Sequence, residues 1–171
     1  GAPATYIAGF IPQAAANWYR LTGYEPALEL GGGLANYLFK HGEMQDPDTG
    51  KTAADHPTHV THSLLSNLAY ALTVKDREMT KWVKRGFDYL VRERDRERTG
   101  ILLSDGTCSC FVADMVDVGI MLSLAGEGDY WEEVDGWVRN TFINLQLLQA
   151  DMERIKAMPV EYKQDLKPGF S

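Results

Sequence analysis

The sequence predicts an all-α fold, built as an α/α toroid-type stack of three helical hairpins, and two observations support it. The chain of 171 residues divides into six segments of helical periodicity, joined alternately by short turns and by longer polar loops. Matched residues at the short turns and in the second helices also recur every 51 or 52 positions. These residues are Leu21, Leu72 and Leu124; Asn36, Asp88 and Asn140; and Leu38, Leu90 and Phe142. A fixed period of this length is typical of stacked helical hairpins.

The hairpins are expected to occupy most of the chain. They are predicted at about residues 4–40, 57–94 and 109–156. Together they form one domain over 1–158, followed by a C-terminal linker or tail over 159–171 in which prolines and a glycine stop the helix. The second helix of the third hairpin is expected to run without a break over 129–156.

The two helices of each hairpin differ in their hydrophobic pattern. In the second hairpin, the second helix has Met79, Val83 and Phe87 on one stripe, with Lys81 and Lys84 away from it. The first helices of the second and third hairpins contain HSLLSNLAYAL and FVADMVDVGIMLSLAG, which are apolar nearly all round. Because a helix that is hydrophobic on every side is buried on every side, we expect the first helices to form an inner layer. The second helices then form the outer layer of the toroid.

Composition and charge exclude several classes of partner. The formal net charge is −7 with no basic stripe, so no nucleic acid is expected as a partner. No apolar stretch reaches the ~18 residues that a membrane-spanning helix needs, so no membrane is expected either. The two cysteines, Cys108 and Cys110, are too close in sequence for an unstrained disulfide, which leaves thiols or metal-bound thiolates. The compartment stays open between the cytoplasm and a secreted or periplasmic location.

A candidate site is expected where the long loops lead into the inner helices. Helix N-termini present unpaired N–H groups and the positive end of the helix dipole, which favour polar and anionic ligands. His59, His62 and Asp105 gather at this end and are assigned to substrate binding. The repeat places His62 and Asp114 at equivalent positions, each ten residues before the leucine at its short turn. Both side chains are therefore expected to point the same way from adjacent inner helices.

The third inner helix carries the candidate catalytic residues. Cys110, Asp114 and Asp117 are spaced i, i+4 and i+7, so they share one helical face. Asp114 is the preferred acid or base, because burial of a carboxyl group raises its pKa, and Asp117 is the second choice. Cys110 is a candidate nucleophile if the helix N-terminus or a nearby histidine lowers its pKa. Tyr6 and Trp18 are assigned to stacking on sugar rings.

Two other interpretations of these residues stay open. Asp114 can instead bond to the backbone of the next repeat, and His62 can cap or fill the core, as satisfied polar groups in native cores do. His59 and His62 can also combine with Cys108 and Cys110 in a zinc site, although such sites usually space their cysteines by two or more residues. Zinc is therefore a candidate cofactor, and no cofactor is firmly assigned.

The openings of the second and third inner helices, HVTHSLLSNLAYAL and CSCFVADMV, resemble the six-hairpin glycosidase superfamily. Members of that superfamily fold as (α/α)6 barrels and act on carbohydrate. The segment TCSCFVADMVDVGIMLSLAGEGDYWEEVDGWVRNTF is most similar to bacterial β-L-arabinofuranosidase-like proteins, and the resemblance covers about residues 57–145. In those enzymes a Glu-x-Cys motif opens an inner helix, and its cysteine is a zinc-bound nucleophile. Cys110 matches that cysteine, but Cys108 replaces the motif glutamate and the further cysteines have no counterpart. The complete metal centre is therefore not expected within this chain.

The resemblance implies that the chain is part of a carbohydrate-active enzyme, a glycoside hydrolase by class. Three hairpins make half of a six-hairpin ring, and a half-ring leaves apolar inner-helix flanks open at both ends. We expect the chain to be a piece of a longer polypeptide whose remainder completes the ring, or one half of a homodimer. Two alternative functions are a non-catalytic helical-repeat module that binds carbohydrate or protein, and a sugar epimerase-like toroid enzyme.

Overall fold

The computed structural model describes residues 2–52, 57–96, 100–102 and 109–159, and most of these residues are helical, which confirms the all-α class. The helices are α1 (Ala2–Thr22), α2 (Glu25–His41), α3 (Pro57–Val74), α4 (Arg77–Arg94), α5 (Ser109–Leu124), α6 (Trp131–Trp137) and α7 (Gln149–Ala157). Two short strands, β1 (Asp95–Arg96) and β2 (Ile101–Leu102), pair antiparallel after α4. None of the helices in the described ranges is long and apolar enough to cross a membrane.

The helices pack as three successive hairpins. Helix α1 packs on α2, α3 packs on α4 and α5 packs on α6, while α3 also contacts α1 and α5. The first helices therefore lie side by side in chain order, with α3 in the middle. The core lies around α3, where Leu64 and Leu68 meet Phe87 of α4 and both Phe111 and Met115 of α5.

Each hairpin turns at a residue with left-handed backbone. Gly23, Lys75 and Gly126 have φ of 71°, 60° and 74°, and all three lie just after an inner helix. After α3, the Asp76 N–H donates to the Ala71 carbonyl at 2.8 Å, which satisfies a carbonyl at the helix end. Asp76 also caps α4 by accepting two backbone N–H bonds. These caps fix the sharp reversals that the sequence predicted.

The leucines of the repeat differ in burial according to their place in the stack. Leu21 of α1 is 82% exposed and Leu124 of α5 is 75% exposed, whereas the equivalent Leu72 of α3 is packed against the core. Only α3 has an inner helix on each side of it among the described residues. The first and third hairpins therefore leave apolar side chains exposed at the two edges of the stack.

The third hairpin departs from the expected pattern, because the predicted unbroken helix over 129–156 is wrong. Helix α6 ends at Trp137, and the chain continues as a π-helical turn over Val138–Phe142 and a 3-10 turn over Ile143–Leu145 before α7 begins. The Thr141 hydroxyl accepts a hydrogen bond from the backbone N–H of Leu102 in β2 at 3.0 Å. A helix side chain that bonds to a neighbouring strand, where the two segments lie close together, favours a local change of helix type. Phe142 is consequently exposed, although its repeat equivalents are buried.

The long loops contain a second repeat, with a period of 50 residues, that the sequence analysis missed. In each loop two residues pair as antiparallel β-structure around a turn, and the pairs are Gln45–Thr52 and Asp95–Leu102. Each loop is then bonded to the second helix of the next hairpin. Gln45 Nε2 donates to the Trp82 carbonyl at 2.7 Å, and Trp137 Nε1 donates to Asp95 Oδ1 at 2.9 Å. The loops are thereby held against the hairpin that follows them.

Glycine allows each loop to approach that helix closely. Gly50 has a φ of 74°, and a Cβ at this position would overlap the carbonyl oxygen of Arg85. Gly100 has a φ of 57°, and its Cβ would lie 3.0 Å from the Cα of Gly136. In both contacts the loop backbone lies directly against helix backbone. A helix backbone cannot rotate away from a new Cβ as a flexible side chain can.

Replacing Gly50 with Ala is expected to destabilise the fold more than replacing Gly126 with Ala. Both glycines have a φ of 74°, but nothing lies within 4 Å of a Cβ at Gly126. The Gly126→Ala variant should lose about 1–2 kcal/mol of unfolding free energy, the cost of left-handed backbone for alanine. Gly50→Ala should lose about 1–3 kcal/mol more from the overlap with α4. Urea denaturation of both variants measures the difference, and equal losses would contradict the close loop–helix contact.

Candidate functional site

A buried carboxylate joins two inner helices at the end of the stack where the long loops arrive. Asp114, in the second turn of α5, is only 7% exposed. Its Oδ2 accepts a hydrogen bond from Thr61 Oγ1 at 3.0 Å, and its Oδ1 lies 3.3 Å from His62 Nδ1. The structure thus brings together His62 and Asp114, the two residues that the repeat placed at equivalent positions.

Asp114 contacts side chains of α3. This arrangement bears on the interpretation that Asp114 bonds to the backbone of the next repeat. Thr61 Oγ1 has a single proton and lies 3.1 Å from the Thr58 carbonyl as well as 3.0 Å from Asp114. A carboxylate is the stronger acceptor, since charge-assisted hydrogen bonds are shorter and stronger than neutral ones. We therefore assign the Thr61 proton to Asp114. The bond to the backbone of another repeat, which was the alternative for Asp114, is not the arrangement found.

An aromatic side chain from α1, the first of the inner helices, completes the site. The Phe10 ring of α1 lies with its centroid 3.9 Å from that of His62, tilted by 35°. Phe10 is exposed, and the His62 side chain is 20% exposed, so the imidazole is partly covered by the phenyl ring. Side chains from α1, α3 and α5 therefore converge on His62.

Phe10 and Thr61 are not among the site residues that the sequence pattern predicts. Phe10 directly precedes Ile11, the α1 position equivalent to His62, so the repeat register contained a signal for it. Thr61 is a hydroxyl residue inside an apolar helix and next to His62, which is a weaker signal because threonine commonly bonds to its own helix.

Asp117 differs from Asp114 in its surroundings. Its side chain is exposed on α5, one turn after Asp114. Partial removal from water raises the pKa of Asp117, and the negative charge of Asp114 raises that pKa further. Cys110 is also exposed, in the first turn of α5. The predicted face of α5 therefore presents two accessible groups on either side of a buried carboxylate.

The other predicted site residues are less well placed or fall outside the description. His59 is partly buried in α3, and its carbonyl accepts from Ser63 Oγ at 2.8 Å. Trp18 is exposed on α1, two turns after Phe10. Two of the remaining predicted residues, Asp105 and Cys108, lie outside the described residues. The side chain of Tyr6 is also outside the description.

The described residues do not fit a zinc centre. Within residues 2–52, 57–96, 100–102 and 109–159, no three His, Cys, Asp or Glu side chains lie close enough together to hold a metal ion. His62 directs Nδ1 toward Asp114, and Asp114 is in turn bonded to Thr61. We therefore derive no chemistry for the site through a metal.

A groove lies at the opposite end of the inner helices, near the short turns. Its volume is about 570 Å³, and its lining includes Tyr19 and Arg20 of α1, Thr73 of α3 and Met121 of α5. Residues of all three inner helices thus line one depression near the short turns. The volume is within the range of pockets that hold small ligands.

Replacing Asp117 with Asn is expected to stabilise the protein at neutral pH. A carboxyl group whose pKa is raised on folding binds more protons in the folded state, so its stabilising effect is present below pH 3.8 and is lost as pH rises through the folded pKa. At about pH 7 the carboxyl group is ionised in the unfolded chain, so its raised pKa in the folded state opposes folding, and Asn removes that penalty. The unfolding free energies of both proteins should converge at about pH 3.

Urea denaturation at the two pH values measures this effect. Asp129→Asn, at an exposed position before α6, is the matched control and should show no gain. A lower stability of Asp117→Asn at neutral pH would show that Asp117 makes favourable contacts as a carboxylate.

Comparison with known proteins gives no family for the chain. A scan against protein-family models found no match, and searches of curated proteins and of solved structures found none either. Function is therefore inferred from the geometry around Asp114 and from the resemblance noted in the sequence.

Proposed function

We propose that this chain is part of a carbohydrate-active enzyme of α/α-toroid type, a glycoside hydrolase by class, with its sugar site around Asp114. The observation that carries the proposal is the nearly buried Asp114 carboxylate, held by Thr61 and His62 of the adjacent inner helix. Asp117 lies one turn further along α5. Glycoside hydrolysis normally uses two carboxyl groups, of which one donates a proton and the other acts in its ionised form.

The two carboxyl groups suit different roles. Asp117 is exposed and has a raised pKa, which are the properties of a group that donates a proton to a leaving-group oxygen. Asp114 Oδ2 accepts a hydrogen bond from Thr61, and Oδ1 faces His62 Nδ1, an arrangement that suits an ionised carboxylate. Unequal environments for two neighbouring carboxyl groups are a common sign that the two groups have different roles in a reaction.

Exposed aromatic rings on α1 support carbohydrate as the substrate class. Phe10 contacts the His62 ring, and Trp18 is exposed further along the same helix. Large aromatic side chains with one face open to water provide apolar surface for the faces of sugar rings, while neighbouring polar groups bond to hydroxyls.

The exposed edges of the stack support an incomplete ring. Trp18 and Leu21 are exposed on α1, and Leu124 is exposed on α5. Large apolar side chains exposed at the edge of a helical stack suit an interface with further protein. We infer that further hairpins, from a longer chain or from a second copy of this one, cover these edges and close the site.

A sugar epimerase is the second candidate, because His62 bonded to a carboxylate is also suited to removing a proton from carbon. Product analysis separates the two reactions, since an epimerase changes the configuration of a sugar without cleaving a glycosidic bond.

Replacing Asp114 or Asp117 with Asn is expected to lower turnover of a cleaved glycoside by roughly a hundredfold or more, the usual contribution of an acid or base. The assay measures product release from a panel of arabinosides and other glycosides, and circular dichroism verifies that each variant keeps its helices. Asp129→Asn is the control and should retain full turnover. Full activity in Asp114→Asn would remove Asp114 from the mechanism.

Light scattering coupled to size exclusion, run on the same preparation, tests how the ring is completed. A mass of twice 19.1 kDa would support closure by a second copy. A monomer of 19.1 kDa without turnover would place the activity in a longer protein or favour a non-catalytic binding module.

A further inference from the structure

His62 has one ring nitrogen engaged and the other available. Nδ1 lies 3.3 Å from Asp114 Oδ1. Nε2 has no hydrogen-bond partner among the residues that the structure describes. The side chain keeps 20% of its surface exposed, so the imidazole is partly accessible from solvent. The sequence suggested that His62 binds substrate. A binding role alone does not require His62 to be paired with a buried carboxylate.

The pairing determines which nitrogen carries the proton. An ionised carboxylate can only accept hydrogen bonds, so the nitrogen that faces Asp114 must donate. In neutral His62 the proton is therefore on Nδ1, and Nε2 holds a lone pair. Thr61 fixes Asp114 from the other side, and the Phe10 ring lies against the imidazole. A base whose orientation is set by a third group is a recurring feature of catalytic sites.

Unpaired hydroxyl groups lie on the same stripe of α3. Thr58, His62 and Ser66 are spaced i, i+4 and i+8, so they follow one another along the helix. The hydroxyl oxygens of Thr58 and Ser66 are buried and have no hydrogen-bond partner in the described part of the chain. Such groups are costly in an apolar helix, and native proteins keep few of them. The polar stripe thus extends one turn to either side of the imidazole.

We propose that His62 is the general base of this site and that Asp114 is the positioning residue that holds its Nδ1–H. For the reaction, this inference rests on the proposed glycoside hydrolase function. Nε2 takes a proton from a water molecule as the water oxygen bonds to the anomeric carbon. The bond from that carbon to the leaving oxygen breaks, and Asp117 donates its proton to that oxygen. Afterwards His62 releases a proton to solvent and Asp117 takes one up, which restores both groups.

Nitrogen NMR of histidine-labelled protein tests the tautomer without any substrate. We expect Nδ1 to be protonated and Nε2 unprotonated in neutral His62, whose signals are assigned by their loss in His62→Gln. Asp114→Ala should shift the population toward the Nε2–H tautomer, while exposed His41 serves as an internal control that does not change. Protonation on Nε2 in the unmodified protein would overturn the proposal, whether or not any glycoside is cleaved.

Kinetics then separate a base from a binding residue. His62→Gln should lower kcat on a cleaved glycoside by roughly 10²–10⁴-fold with little change in KM, and His41→Gln should leave both unchanged. A raised KM with unchanged kcat would show that His62 only binds substrate and would overturn the proposal. A protein that has the Nδ1–H tautomer but cleaves no glycoside would refute the proposed hydrolase function and, with it, the base role in hydrolysis, while the Asp114–His62 pairing would stand.

Discussion

The burial of α3 between two other inner helices is the constraint on which the remaining structure depends. Helix α3 contacts α1, α2, α4 and α5, and its side chains from Val60 to Ala69 are almost all removed from water. Because most of this helix is removed from water, each buried polar group on it must find a partner inside the protein or remain unsatisfied. Its apolar residues supply the centre of the core, and its polar residues determine where the neighbouring helices can lie.

Several polar side chains of α3 bond to different neighbours. Thr61 and His62 both contact Asp114 of α5, and Asn67 Nδ2 approaches the Ala35 carbonyl of α2 at 3.4 Å. Hydrogen bonds of this kind add little net stability, but a lost partner leaves a buried polar group at a substantial cost. They therefore fix the register of α3 against the other helices. The candidate site is the place where this register aligns His62 with Asp114.

The second helices of the hairpins, together with the long loops bonded to them, support the same end of the stack. The two long loops are bonded to α4 and α6 through Gln45 and Asp95, and their glycines lie against helix backbone. Between these outer helices, Tyr130 donates to Asp88 at 2.6 Å, and Lys84 approaches both groups. Partial burial and the hydrogen bond to Asp88 raise the pKa of Tyr130 to about 12, so the phenol stays protonated and keeps donating. Residues on the ends of fixed helices can hold a site more accurately than free loops do.

The sequence by itself determined the helical class, the hairpin turns and the alignment of His62 with Asp114. These features follow from local chemistry and from periodicity: apolar residues at helical spacing, short polar turns between the helical segments, and a repeat that places equivalent residues on equivalent faces. Only the tertiary structure decided that Thr61 donates to Asp114, that Phe10 lies on His62, and that the last predicted helix breaks. Each of these depends on contacts between segments far apart in the chain, where packing and competing hydrogen bonds override the preference of the local sequence.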